Sequence, residues 1–181
     1  EYSYPKDSAR VTDFMRQMSN LAFDELEIAN VYSHYLKYIQ ASPDTVIPVL
    51  EKILSMEPDN LTVIVQLLEY AIEKNDIDAV FKYADEALMF LPQHLELHFY
   101  KGLSLYMLGN KKESIDIYLD GLEKRDAETD PNVVAAVFTI VGDTYHELEM
   151  KKEAYAAYDS ALVYDPYKLD VLNNYSYYLS L

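Results

Sequence analysis

Pro58 and Pro92 close two apolar helical stretches 34 residues apart, and that interval constrains this chain more than any other feature. Turn-like pairs recur on the same step at Ala41-Ser42, Asn75-Asp76 and Gly109-Asn110. A fourth pair, Glu149-Met150, follows the third by 40 residues, so six extra residues enter near 127 to 134. Asp126 stands where the period would put another proline, and the next proline step comes at Pro166. A fixed period of this length predicts one supersecondary unit repeated along the chain.

Each unit reads as two helices. Ile115, Tyr118, Leu119 and Leu122 fall on one helical face, as do Val80, Ala84, Ala87, Leu88 and Leu91. In three of the four units a proline just past the second helix (Pro58, Pro92 or Pro166) ends it, because it lacks the N–H that a further turn needs. Only 4 of 181 residues are glycine, which favours helices over a sheet-rich architecture. One local conflict stands out. Pro48 lies inside the apolar run TVIPVLEKIL, so that helix is expected to start late, near Thr45, or to kink.

At this point the residues resemble the tetratricopeptide repeat (TPR) family. Residues 135–168 match its pattern with Phe138, Val141, Gly142, Tyr145, Ala154, Tyr158, Ala161 and Pro166. Residues 95–128 match more loosely through Gly102, Leu105, Ser114, Tyr118 and Gly121, and depart at His98, Lys101 and Asp126. Residues 61–94 keep Ile64, Leu67, Ala87 and Pro92, and residues 27–60 keep Val46, Leu50, Ile53 and Pro58. The resemblance implies an all-α, right-handed solenoid of antiparallel helix pairs. Residues 1–26 are expected to form a tail and leading helix, with Val11, Phe14, Met15 and Met18 on one face. Residues 169–181 read as the first helix of a further, truncated repeat, and a start at Glu1 rather than Met reads as a piece of a longer bacterial array.

The order of small and large residues in 141–166 follows from packing. Gly142 and Ala154 allow close approach within a hairpin, Ala161 allows it against the next unit, and Phe138, Tyr145 and Tyr158 fill the remaining space.

Charge narrows the partners. With 31 acidic and 15 basic residues the net charge is −16, which repels a phosphate backbone and an anionic membrane surface. No stretch reaches the length of an apolar membrane span. Cys is absent, which removes thiolate metal sites and Cys nucleophiles. His94 and His98 stand four apart, but Pro92 puts His94 at a helix start and weakens a metal reading. Asp143 and His146 stand three apart and read as a solvated polar pair rather than an acid/base couple. Asn60 and Asn174 fit the glycosylation sequon, a triplet that chance supplies easily. No phosphate loop or nucleophile motif is present, so no enzyme and no cofactor is expected.

The TPR resemblance implies protein–protein interaction through the exposed side of the first helices. Family phase puts Tyr35, Tyr38, Gln66, Glu69, Phe99, Tyr100, Leu103, Tyr106, Asp143, His146, Asn173, Asn174 and Tyr177 there, with Val31, Tyr32, Val65, Thr139 and Ile140 beside them. Some TPR domains clamp a carboxylate with Lys, Asn and Arg at such positions. This chain has Val31, Tyr35, Gln66, Glu96 and Tyr100 instead, so that specificity is not carried over. What the residues suggest is an aromatic docking surface with acidic flanks, for an extended or helical segment of another protein with apolar anchors and Lys or Arg flanks. The alternative is a structural or oligomerisation segment of a larger envelope protein whose active part lies elsewhere, self-associating through the Tyr-rich C-terminal helix. The Tyr-rich style is similar to bacterial TPR proteins, some of them exported to the envelope; no residue decides the compartment.

Overall fold

Four turns, all closed in the same way, define the hairpins of the computed structural model. Gln40, Asn75, Gly109 and Glu149 stand at φ 52, 54, 86 and 61, the left-handed conformation that ends a helix. After each, a backbone N–H reaches back five residues: Ala41 to Leu36, Asp76 to Ala71, Asn110 to Leu105 and Met150 to Tyr145, all at 2.8 or 2.9 Å. The last three stand on the 34- and 40-residue steps that the sequence marks; the first is at Gln40, one residue ahead of the expected Ala41-Ser42 pair.

The structure describes residues 10–14, 16, 17 and 25–179, the side chains of 178 and 179 excepted. In chain order the helices are α1 (Leu26–Tyr38), α2 (Pro43–Met56), α3 (Leu61–Glu73), α4 (Ile77–Leu88), α5 (Leu95–Met107), α6 (Lys111–Lys124), α7 (Pro131–Glu147), α8 (Lys151–Tyr164) and α9 (Leu169–Leu179). Residues 10–14 and 16–17 are helical as well, and no strand occurs among the described residues. The chain divides into two compact units, at Tyr70 and Ala71.

In the first unit α1 packs on α2, burying Ala29 and Leu36 together with Val46, Val49, Leu50 and Ile53. The expectation that α2 starts late is corrected. It starts at Pro43 with Ser42 as N-cap, so one proline sits at the favoured first position and Pro48 lies inside the helix. Asn60 caps α3, accepting from the Val63 N–H at 3.2 Å and donating to Glu57 at 2.8 Å. That sequon side chain therefore has a structural task. Of the leading helix, Val11 and Phe14 are exposed; Met15 and Met18 lie outside the described residues.

In the second unit α4 to α9 pack in sequence, each on the next, and α5 also touches α7. Its core gathers Leu95, Ile115, Tyr118, Leu122, Val134, Val137 and Val141, and a second cluster holds Ala154, Tyr158, Ala161 and Val171. Leu119, read as part of the buried face, is exposed.

The glycines have a specific task in this packing. A Cβ on Gly142 would lie 2.5 Å from the Tyr158 ring, and one on Gly102 would overlap the Tyr118 ring. So Gly142 serves the Tyr158 ring directly, and the preceding hairpin repeats the same pairing. His98, which departs from the family pattern, fits for the same reason: a Cβ on Gly121 would lie 2.5 Å from the His98 Cβ. Lys101 departs too, and it reaches back to Asp85 at 2.7 Å with its ammonium 5.7 Å from the centre of the Phe81 ring.

Four of the six extra residues lengthen one helix. α7 has 17 residues where α1, α3 and α5 have 13, and it begins at Pro131, a turn ahead of residue 135 where the repeat phase begins. Asp130 caps it, accepting from the Asn132 N–H at 2.8 Å, and Pro131 takes the first position. Arg125 secures the loop by donating to the Tyr164 hydroxyl at 2.7 Å, and Tyr164 in turn stacks on Phe138.

Candidate docking site on the first helices

α5 buries Leu95, His98, Gly102 and Leu105 on its inner side. The helical period then leaves Glu96, Phe99, Tyr100, Leu103 and Tyr106 as a stripe of half-buried and exposed side chains. Ring packing fixes part of that stripe. Phe99 meets Tyr100 edge-on at 5.5 Å and lies 6.4 Å from Tyr118, so its inner edge belongs to the core.

Where α5 meets α7, a cleft of about 290 Å³ opens. Glu96, Phe99 and Tyr100 line it from α5, and Asn132, Val133, Ala136 and Val137 line it from α7. Its wall is apolar apart from the rim. Glu96 is the charged group there, and no lysine or arginine lines the cleft. Of the residues expected to form a docking surface, Phe99 and Tyr100 are the two that the cleft brings together. Asn132 and Val133 escape the sequence reading because they belong to the extra turn, outside the repeat phase.

The other end of α5 is committed elsewhere. The Tyr106 hydroxyl donates to Glu147 at 2.7 and 2.9 Å, and the Lys111 ammonium reaches the same carboxylate at 2.8 Å. Lys111 also lies 5.6 Å from the centre of the Tyr106 ring. Lys111 holds the Glu147 carboxyl below its ordinary range, and Glu147 raises both Tyr106 and Lys111. Neither Lys111 nor Glu147 stands out in sequence, because their meeting depends on how two hairpins stack.

Asp143 is likewise tied inside the stack. It accepts from the Tyr158 hydroxyl at 2.6 Å and from the Asn174 amide at 3.2 Å. This corrects the reading of Asp143 and His146 as a solvated pair, and it gives the second sequon asparagine an internal partner. Thr139, expected beside the docking surface, is buried with its hydroxyl on the Ala135 carbonyl at 2.7 Å. Leu103 and His146 are half-buried, Asn173 is exposed, and Tyr177 is exposed on α9. In the first unit, Tyr35 bonds Thr12 of the leading helix, Tyr38 is 81% exposed at the end of α1, Gln66 is half-buried and Glu69 is exposed.

His98 is buried, with Nε2 2.9 Å from the Pro92 carbonyl and Nδ1 3.7 Å from Asp120. His94 is the N-cap residue of α5. The pair four apart is thus split between a core and a helix start. Among the described residues no group of three or more His, Cys, Asp or Glu is placed to hold a metal, and no helix is long and apolar enough to cross a membrane.

No family model matches the chain, and no curated protein sequence does. Solved structures match it over most of its length. A crystal structure of MamA covers 94% of this chain and 99% of its own, with TM-score 0.65 at 14% identity. MamA from AMB-1 covers 88% and 92% with TM-score 0.59 at 19% identity, and MamA from MSR-1 covers 88% and 90% with TM-score 0.58 at 20% identity. The fold is TPR-like.

Proposed function

We propose that this chain is a protein-interaction module, an adaptor or scaffold that takes a segment of another polypeptide against its first helices and catalyses no reaction. The observation that carries the reading is the cleft between α5 and α7, an apolar hollow walled by Phe99, Tyr100, Val133 and Ala136. Rigid aromatic side chains give contact area with little loss of conformational freedom on binding. The TPR-like fold supports the same reading by analogy, since stacked hairpins present continuous binding surfaces. Tyr106 and Asp143 act here as ties between hairpins that hold the surface in shape.

A photo-cross-linking amino acid at position 100 tests this, with position 156 on the exposed side of α8 as control. In cells of the source organism a discrete cross-linked protein is expected from position 100 and none from position 156. Equal cross-linking from both positions would contradict it.

A second reading has its own observation. Leu169, Leu172 and Tyr177 are exposed on α9, with Leu169 at 79%. Under this reading α9 mediates self-association. Light scattering across a concentration series would then show a mass that rises with concentration and returns to the monomer in a Leu169→Glu, Leu172→Glu variant. A constant monomer mass removes it.

A further inference from the structure

We infer that the inserted turn of α7 builds a pocket for one apolar side chain whose neighbour in the partner sequence is lysine or arginine. This rests on the docking reading above and specifies its occupant. The regular repeat would begin α7 at residue 135; the added turn, Pro131 to Val134, brings Asn132 and Val133 beside Glu96 and Tyr100. The hollow is thus a product of this chain's departure from its own period.

Size and chemistry set what fits. A cleft of about 290 Å³ whose wall is aromatic and aliphatic takes a large aliphatic or aromatic side chain, and burying that side chain is the favourable step. Charge selects its neighbours. Glu96 stands exposed on the rim with no counter-ion among the described residues, and the exposed Asp130, which accepts from the lining Asn132 at 2.8 and 2.9 Å, adds a second carboxylate beside it. Arg125, the nearest cation in sequence, is turned to Tyr164. A cationic side chain beside the anchor meets complementary charge, and an acidic one meets repulsion. The occupant is therefore an apolar-basic segment of another protein.

The test is selection of a random library of roughly 12-residue peptides, displayed on phage, against the immobilised chain. Recovered peptides are synthesised and titrated by fluorescence anisotropy. The expected sequences share a Leu, Ile, Met or Phe with Lys or Arg close by. Ala136→Trp, which fills the hollow, weakens them about tenfold or more, while Glu96→Lys weakens them and shifts selection toward acidic flanks. Both variants are checked for parental helix content by circular dichroism, and Glu96→Lys, on the exposed rim, keeps the test valid if the larger substitution perturbs folding. Peptides that bind both variants as tightly as the parent overturn the pocket and leave docking elsewhere on the first helices standing. Apolar peptides without basic neighbours, indifferent to Glu96→Lys, overturn the charge selection. If no peptide is recovered while position 100 still cross-links a protein, the pocket is overturned and the docking reading survives. If both fail, both are overturned.

Discussion

Gly109 and Gly142 are both glycines for reasons that a substitution can separate. At Gly109 the reason is backbone: φ is 86, and a Cβ there would meet nothing within 4 Å. At Gly142 the reason is space, since a Cβ would press on the Tyr158 ring. Gly109→Ala should therefore cost about 1 kcal/mol through strain alone. Gly142→Leu should cost about 1–3 kcal/mol or more through overpacking. Urea denaturation of the two variants measures both, and a Gly142→Leu midpoint equal to the parent's would refute the packing account. The tyrosines that cover the glycines also differ. Tyr158 donates to Asp143, whereas in the preceding hairpin Leu103 stands where Asp143 would, and the buried Tyr118 hydroxyl finds no partner among the described residues. Burial accordingly pushes the Tyr118 phenol well above its ordinary range. Tyr118→Phe should be neutral or stabilising by up to about 1 kcal/mol, while Tyr158→Phe should destabilise by about 1–2 kcal/mol. The same denaturation experiment reads both. The small-then-large order was legible in the sequence; which ring met which glycine was not, because the family spacing gives the positions and only packing gives the pairs.

At the scale of helices, repetition made the turns legible and local chemistry obscured the exceptions. The left-handed turn residues at 75, 109 and 149 keep the sequence intervals, although only Asn75 and Gly109 announce themselves by residue type. Of the two outcomes Pro48 allows, a late start or a kink, the late start does not occur, because Pro43 sits where proline suits the beginning of a helix. The length of α7 was hidden as well, since its first turn falls in what the period treats as an insertion. Contacts between hairpins were the least visible, and Glu147 shows why they matter. Its folded pKa lies below the ordinary 4.5, so its contribution is present above that value and is lost as pH falls through the folded pKa. Tyr106 and Lys111 are raised above 10.0 and 10.5, so theirs are present below those values and lost as pH rises through the folded ones. The stability gap between the parent and Glu147→Gln should therefore be widest near neutrality and shrink in acid and in strong base. Denaturation midpoints across pH check this, and a gap independent of pH would contradict the assigned roles.

For the whole molecule, the decisive question is whether the open side of the first helices is where another polypeptide lands. Residues that family phase assigns to one surface have different surroundings in the second unit. Tyr106, Asp143 and Asn174 hold hairpins together, while Phe99 and Tyr100, joined by the extra turn of α7, frame the hollow. Tyr100 is the cleanest probe because its ring lines the cleft and its loss removes no tie between hairpins described here. The most direct measurement is the affinity of Tyr100→Ala for the protein cross-linked from position 100, by isothermal titration calorimetry, beside its helix content by circular dichroism. About a tenfold or greater loss of affinity with parental helix content is expected. Parental affinity with parental helix content would contradict the docking account.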